Sequence, residues 1–165
     1  MKSIMNLSLG AILLALASCA STTPEPQFTQ SATSVITQAD KAKAAVTSSD
    51  PKMLDNDRQR LAEKIEYRIR NTAGPSQGKG ATYQVDVAIS RYEKGNAFAR
   101  SMLAGLGQIH IDGTVTVRKQ PGGTKVSQFS MNKTFAWGGI YGGITDMDTI
   151  EDTYAKAVAN AVCGK

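Results

Sequence analysis

Along this chain the apolar positions change period several times, and each change predicts an element. Over residues 83–90, Tyr83, Val85, Val87 and Ile89 alternate with Gln84, Asp86 and Ser90, the period-two pattern of a half-buried strand. The same alternation sets Ile109, Ile111, Val115 and Val117 against His110, Asp112, Thr114 and Thr116. Gln120-Pro121-Gly122-Gly123-Thr124 reads as a turn, so a third strand carrying Val126, Phe129, Met131 and Phe135 makes a hairpin with the second. Parity changes between Val126 and Phe129, which predicts a bulge near Ser127-Gln128.

Two segments have helical spacing instead. Leu54, Leu61, Ala62, Ile65 and Ile69 share one face, with Ser49-Asp50-Pro51 as cap and first-turn proline and Asn71 to Pro75 as the stop. Arg60, Lys64 and Arg68 lie along another face, which reads as solvated. Ile150, Tyr154, Ala157, Val158, Ala161 and Val162 form the apolar face of a closing helix capped by Thr145 or Asp148. A short strand is predicted near 42–47, and Val35-Ile36 reads as an edge strand or as ordered linker. Together these predict an α+β fold of two layers. An antiparallel meander of three to four strands is covered on one face by two amphipathic helices, and its polar face is left to water or a partner.

The first residues do not belong to that domain. Lys2 precedes an apolar run from Leu7 to Ala17 that is shorter than the ~20 residues a membrane-spanning helix needs. A charged start, a short apolar run and small residues before a cut site mark a processed signal. Leu16-Ala17-Ser18-Cys19 resembles a bacterial lipobox. That resemblance implies a diacylglyceryl group on the Cys19 thiol, cleavage before Cys19 and acylation of the new amino group. The membrane is then a partner through lipidated Cys19. Ala20, where Asp would signal retention, implies delivery to the periplasmic face of the outer membrane. The organisation predicted is a signal peptide over 1–18, a Ser/Thr/Pro/Gln-rich tether over 19–36 and a single α+β domain over 37–165.

Composition narrows the functional classes. The chain carries 19 basic and 14 acidic side chains, a net charge of +5 with no Lys/Arg block, so nucleic acid is not an expected partner of an exported protein. With Cys19 acylated, Cys163 is left single, either buried as a small apolar residue or paired between molecules. One histidine and one free cysteine do not make a zinc site, and no metal or cofactor is expected.

Two loops are unlike ordinary connectors. Residues 95–107 hold Phe98, Met102, Leu103 and Leu106, and Trp137-Gly138-Gly139-Ile140-Tyr141-Gly142-Gly143-Ile144 repeats an aromatic-Gly-Gly-Ile unit. In a meander both leave the sheet at the same end, so two apolar, glycine-rich segments converge at one pole. A concentrated apolar patch marks a partner or membrane site, unless the loops bury these side chains against each other. The candidate interaction residues are Phe98, Arg100, Met102, Leu106, Trp137, Ile140, Tyr141 and Ile144, with Arg100 bonding loop carbonyls or a carboxylate such as Asp146 or Asp148. The partner expected there is a protein or a second copy of the chain; insertion into lipid is the third option.

Gly95-Asn96-Ala97-Phe98-Ala99-Arg100 followed by Gly105-Leu106-Gly107 resembles a family of uncharacterised bacterial lipoproteins. These carry a domain of unknown function with a G-N-x-x-x-R…G-x-G pattern. The resemblance spans about residues 80–162, departs at Gln108-Ile109 where a second small pair is common, and implies a small envelope domain with no assigned activity. Against an enzyme stands the absence of any nucleophile elbow, HExxH or phosphate loop in the sequence. The strongest argument for acid–base chemistry rests on His110 with Asp112 and Asp86 on the polar face, which gives the alternative of an enzyme acting on an envelope polymer. The expectation is a non-catalytic, lipid-anchored, protein-binding or self-assembling module.

Overall fold

The structure is a computed structural model, and it describes residues 24–32, 35–75, 78–102, 106–135 and 143–165. Cys19, Trp137, Ile140 and Tyr141 lie outside the described residues, as does the side chain of Arg100. The elements run β1 (Gln27–Gln30), β2 (Lys41–Ser48), α1 (Asp55–Thr72), β3 (Thr82–Glu93), α2 (Ala97–Met102), β4 (Ile109–Gln120), β5 (Thr124–Phe135) and α3 (Met147–Cys163).

The sheet has five strands in the order β1-β5-β4-β3-β2, and it is mixed. The β3-β4-β5 meander is antiparallel as expected. The expectation of a purely antiparallel sheet of three to four strands is corrected at both edges. β2 pairs with β3 in parallel, Val46 opposite Val87, because α1 carries the chain back to the start of the sheet between them. β1 pairs antiparallel with β5, Phe28 opposite Phe129, so a strand of the sheet lies within residues 19–36. The Phe28 and Phe129 rings stand 5.2 Å apart, and this contact is what a Ser/Thr/Pro/Gln composition conceals.

α1 and α3 pack on each other and on one face of the sheet, α1 against β2 and α3 against β4 and β5. Leu61, Ile65 and Ile69 of α1 and Tyr154, Val158 and Val162 of α3 meet Val85, Val87, Ile111, Val115, Phe129 and Met131 in one core. Burying each of the larger side chains stabilises by about 1.5–3 kcal/mol. The bulge predicted at Ser127-Gln128 falls one position earlier. Val117 opposes Ser127 and Arg118 opposes Lys125, leaving Val126 as the extra residue.

Helix starts differ from expectation for a local reason. Asp50 does not cap α1. Its carboxylate accepts from the Lys52 N–H at 2.9 Å and the Tyr92 N–H at 2.7 Å, tying the β2–α1 turn to β3 just past an irregularity at Ile89–Arg91. α1 begins four residues later with Leu54 as its N-cap, whose N–H donates to Asp57 at 3.1 Å. α3 is capped by Asp146, which accepts from the Thr149 N–H at 2.9 Å, rather than by Thr145 or Asp148. Cys163 is buried beside the Ile69 carbonyl at 3.9 Å, and burial pushes its thiol up to about 11.

Gly113 on β4 marks the tightest contact between sheet and helix. A Cβ there would stand 2.9 Å from the Ala88 carbonyl oxygen, from Ile89 Cδ1 and from Tyr154 Oη. The Tyr154 hydroxyl is buried and makes no hydrogen bond among the described residues. Gly113→Ala is therefore expected to cost about 1–3 kcal/mol by overpacking. Tyr154→Phe should be neutral or stabilising, by up to about 1 kcal/mol, because it removes an unsatisfied buried group. Urea midpoints of the two variants and of their combination test this, the combination recovering part of the glycine loss.

Candidate functional site

The pole forms where β3 ends, β4 begins and β5 ends, with Glu93 opposite His110 and Ile109 opposite Phe135. The chain from β3 to β4 is closed at its base by the Asn96 N–H donating to the Gly107 carbonyl at 3.0 Å. The Asn96 side chain then accepts from the Ala99 N–H at 3.0 Å, starting the short α2. Gly107 has φ +60°, and a Cβ there would stand 2.4 Å from the Asn96 carbonyl oxygen, so this position accepts only glycine.

α2 lies beside the start of the α3 approach: a Cβ on Gly143 would be 3.3 Å from Ser101 Cβ. The two segments therefore meet, as the meander predicts. Among the described residues their large apolar side chains are not buried by one another. Phe98 is 75% exposed, Met102 65%, Leu106 50% and Ile144 70%. Asp146 and Asp148, suggested as partners for Arg100, serve other groups: Asp146 caps α3, and Asp148 accepts from Lys64 at 2.7 Å.

Beneath the pole is a charged layer that the sequence reading missed. The Arg60-Lys64-Arg68 stripe, read as a solvated face, meets an acidic stripe on α3. Arg60 donates from Nε and Nη2 to the two carboxylate oxygens of Glu151, each at 2.7 Å. Lys64 pairs with Asp148, and Arg68 grips Asp152 with two nitrogens, one at 2.9 Å. Glu151 is fully buried and also accepts from the Tyr92 hydroxyl at 2.5 Å. Burial, reinforced by Glu151, pushes the Tyr92 hydroxyl well above its ordinary value, so it stays a donor. The available signal was that each set holds one helical face: Arg60, Lys64 and Arg68 stand four apart on α1, and Asp148 stands three and four before Glu151 and Asp152 on α3. Asp57, nearly buried, accepts from Arg60 at 2.8 Å and pairs with Lys94 at 3.0 Å. Burial would raise its carboxyl, but these bonds with the Leu54 N–H hold it below the ordinary 3.8. Lys133 was also missed; it is buried on the helix-facing side of β5, and desolvation lowers its ammonium.

The polar-face triad is not brought together. His110 is buried, with Nδ1 3.0 Å from Thr134 Oγ1 and Nε2 3.8 Å from Glu93. Burial, followed by the nearby Arg91 charge, lowers its imidazole, which favours the neutral ring. Asp112 lies two residues along β4, opposite Arg91, while Asp86 sits opposite Thr116 and pairs with Arg118 at 3.3 Å. An open cleft of about 510 Å³ beside His110 is bordered by Lys52, Glu93, Lys94 and Asn96. Among the described residues no three acidic, histidine or cysteine side chains cluster to hold a metal. No helix among them is long and apolar enough to cross a membrane.

A sequence profile of the family described as a domain of unknown function, DUF4410, matches residues 22–139. The chain belongs to that family. No curated protein matches it significantly. The DUF4410 chain is similar in fold to the PelC dodecamer from Paraburkholderia phytofirmans, in two crystal forms. One, a single-residue variant, gives a TM-score of 0.59 at 10% identity, covering 86% of this chain and 99% of that one. The other gives 0.56 at 9% identity, covering 83% and 97%. A DUF330 protein from Xanthomonas campestris aligns with a TM-score of 0.43 at 11% identity, over 85% and 95% of the two chains.

Two outcomes are expected of the charged layer in the DUF4410 domain. Arg60→Ala leaves the buried Glu151 carboxylate without its main partner and should cost about 3 kcal/mol, whereas Arg68→Ala, at an exposed pair, should cost under about 1 kcal/mol. Denaturant unfolding of the two variants measures the difference. Asp50, held down by the Tyr92 and Lys52 N–H groups, and Asp57 both have folded values below 3.8. The unfolded chain therefore binds more protons in acid. Their stabilisation is present above that ordinary value and is lost as pH falls through the lower folded values. Asp50→Asn should flatten the acid limb of a plot of urea midpoint against pH.

Proposed function

We propose that this protein is a lipid-anchored component of the bacterial envelope that works without catalysis, as a self-assembling module. The observation that carries the reading is the fold shared with PelC, which forms a dodecamer, over nearly the whole of both chains. Assembly fits the shape of the sheet. β1 and β2 are its two outer strands, so copies that meet β1 edge to β2 edge do so through different surfaces, and such head-to-tail contacts form a ring when the rotation between copies closes. The lipobox at Leu16 to Cys19 supports the anchor, and Ala20 supports the periplasmic face of the outer membrane.

The surroundings of His110 support a non-catalytic role. Its neighbours are a threonine hydroxyl and a glutamate 3.8 Å away, and Asp86 is held by Arg118 further along the sheet. His110→Ala is expected to leave the envelope phenotype of a wild-type strain intact.

Cys19→Ser should abolish the mass increment of acylation and move the protein from the membrane pellet to the soluble fraction. Native mass spectrometry of the detergent-extracted wild-type protein should give a closed homo-oligomer. A monomer at cell-like concentration would refute self-assembly, and a Cys19 thiol found free in the wild-type protein would refute the anchor.

A further inference from the structure

We infer that the apolar pole formed by Phe98, Met102, Leu106 and Ile144 is a lipid-contact surface, and that the domain stands end-on with this pole against the bilayer headgroups. The inference rests on lipidation of Cys19 and adds what the anchored domain turns toward the membrane.

The direction of β1 is the first argument. β1 runs antiparallel to β5, with Gln27 opposite Ser130 and Gln30 opposite Gln128. β5 runs toward the pole, ending at Phe135 opposite Ile109. The chain therefore enters β1 from the pole side and travels away from it. An anchor upstream of Gln27 pulls the domain toward its apolar end.

Reach is the second argument. Cys19 precedes Gln27 by eight residues, which span at most about 29 Å fully extended. Drawing level with the end of β5 takes the five positions from Ser130 to Phe135, about 17 Å of strand. No more than about 12 Å remains beyond the sheet, comparable with the diameter of a helix such as α2, which sits there. The acyl chains on Cys19 must lie in the hydrocarbon layer, so a domain oriented this way cannot hold its pole clear of the headgroups.

Surface chemistry is the third. Phe98, Met102, Leu106 and Ile144 are each at least half exposed, and Leu54, 61% exposed, begins α1 at the same end. Other large exposed apolar side chains among the described residues are dispersed: Phe28 on β1, Val35 beyond it and Tyr67 within α1. The open sheet face offers Gln84, Thr114, Thr116, Gln128 and Ser130, which suit water rather than lipid. Lys52 and Arg91, both paired with Glu93, and Lys94, paired with Asp57, lie at the rim of the pole and give it more basic than acidic groups, with stems suited to lie against apolar surface. Apolar side chains with basic residues around them are the composition of an interfacial contact.

The test uses the full acylated protein in vesicles of phosphatidylethanolamine with a minority of phosphatidylglycerol. An environment-sensitive fluorophore is placed on Phe98→Cys, Ile144→Cys or, at the far end of the sheet, Thr124→Cys; buried Cys163 stays unlabelled in the folded protein. At positions 98 and 144 the emission should shift to the blue, lose its quenching by iodide and be quenched by a lipid-borne nitroxide. Position 124 should show the reverse. Iodide quenching at 144 equal to that at 124, with acylation of Cys19 verified by mass spectrometry, overturns the inference and leaves the lipoprotein reading standing. An unacylated Cys19 overturns both. Shielding from iodide without quenching by the nitroxide means that protein covers the pole, and this too overturns the lipid contact.

Discussion

The buried carboxylate of Glu151 is the constraint on which the arrangement of this domain depends. It sits on α3 and is held by two nitrogens of Arg60 from α1 and by the hydroxyl of Tyr92 from β3. Three elements distant in sequence are thereby fixed at one point by directional bonds. A charge in that position is costly unless every partner is in place, so the helices have little freedom to slide or rotate against each other. Apolar packing further down the helices supplies adhesion, and the charged layer supplies register. Arg60 and Glu151 lie in the second turns of α1 and α3, the ends of the two helices nearer the pole.

The sequence revealed whatever is periodic and local. Val85, Val87, Ile111, Val115, Leu61, Ile65, Tyr154 and Val158 fall in the core because alternation and helical spacing report burial directly. The direction of β2 was implicit in the order strand, helix, strand, since a helix between two neighbouring strands returns the chain to run the same way. β1 was hidden because four residues, Gln27 to Gln30, hold a single large apolar side chain whose partner Phe129 is about a hundred positions away. The cap at Asp50 misled for a related reason: its carboxylate answers to Tyr92, and no local pattern shows a distant donor.

Pairing between the two charged stripes illustrates the same limit at the site. Each stripe alone looks like a solvated helix face, and only their superposition shows Glu151 buried against Arg60. The convergence of the two glycine-rich segments was legible, because a meander forces it, and Gly143 does lie beside Ser101. Their degree of exposure was not. Alternation and helical spacing carry no information on whether Phe98 and Leu106 fold inward; the structure closes the base of the excursion with the Asn96–Gly107 bond and leaves both side chains exposed.

β1 has a mechanical consequence. It is the first paired segment among the described residues after the proposed anchor, so a pull from that anchor reaches the described fold through four residues. That force acts along the strand, while the hydrogen bonds to β5 run across it. The strand is therefore loaded in shear, and its bonds resist together instead of parting one after another as in a zipper. A strand entering from the opposite end would peel under the same pull. The direction of a short edge strand thus makes a weak element into a strain-sharing clasp under a pull from the proposed anchor.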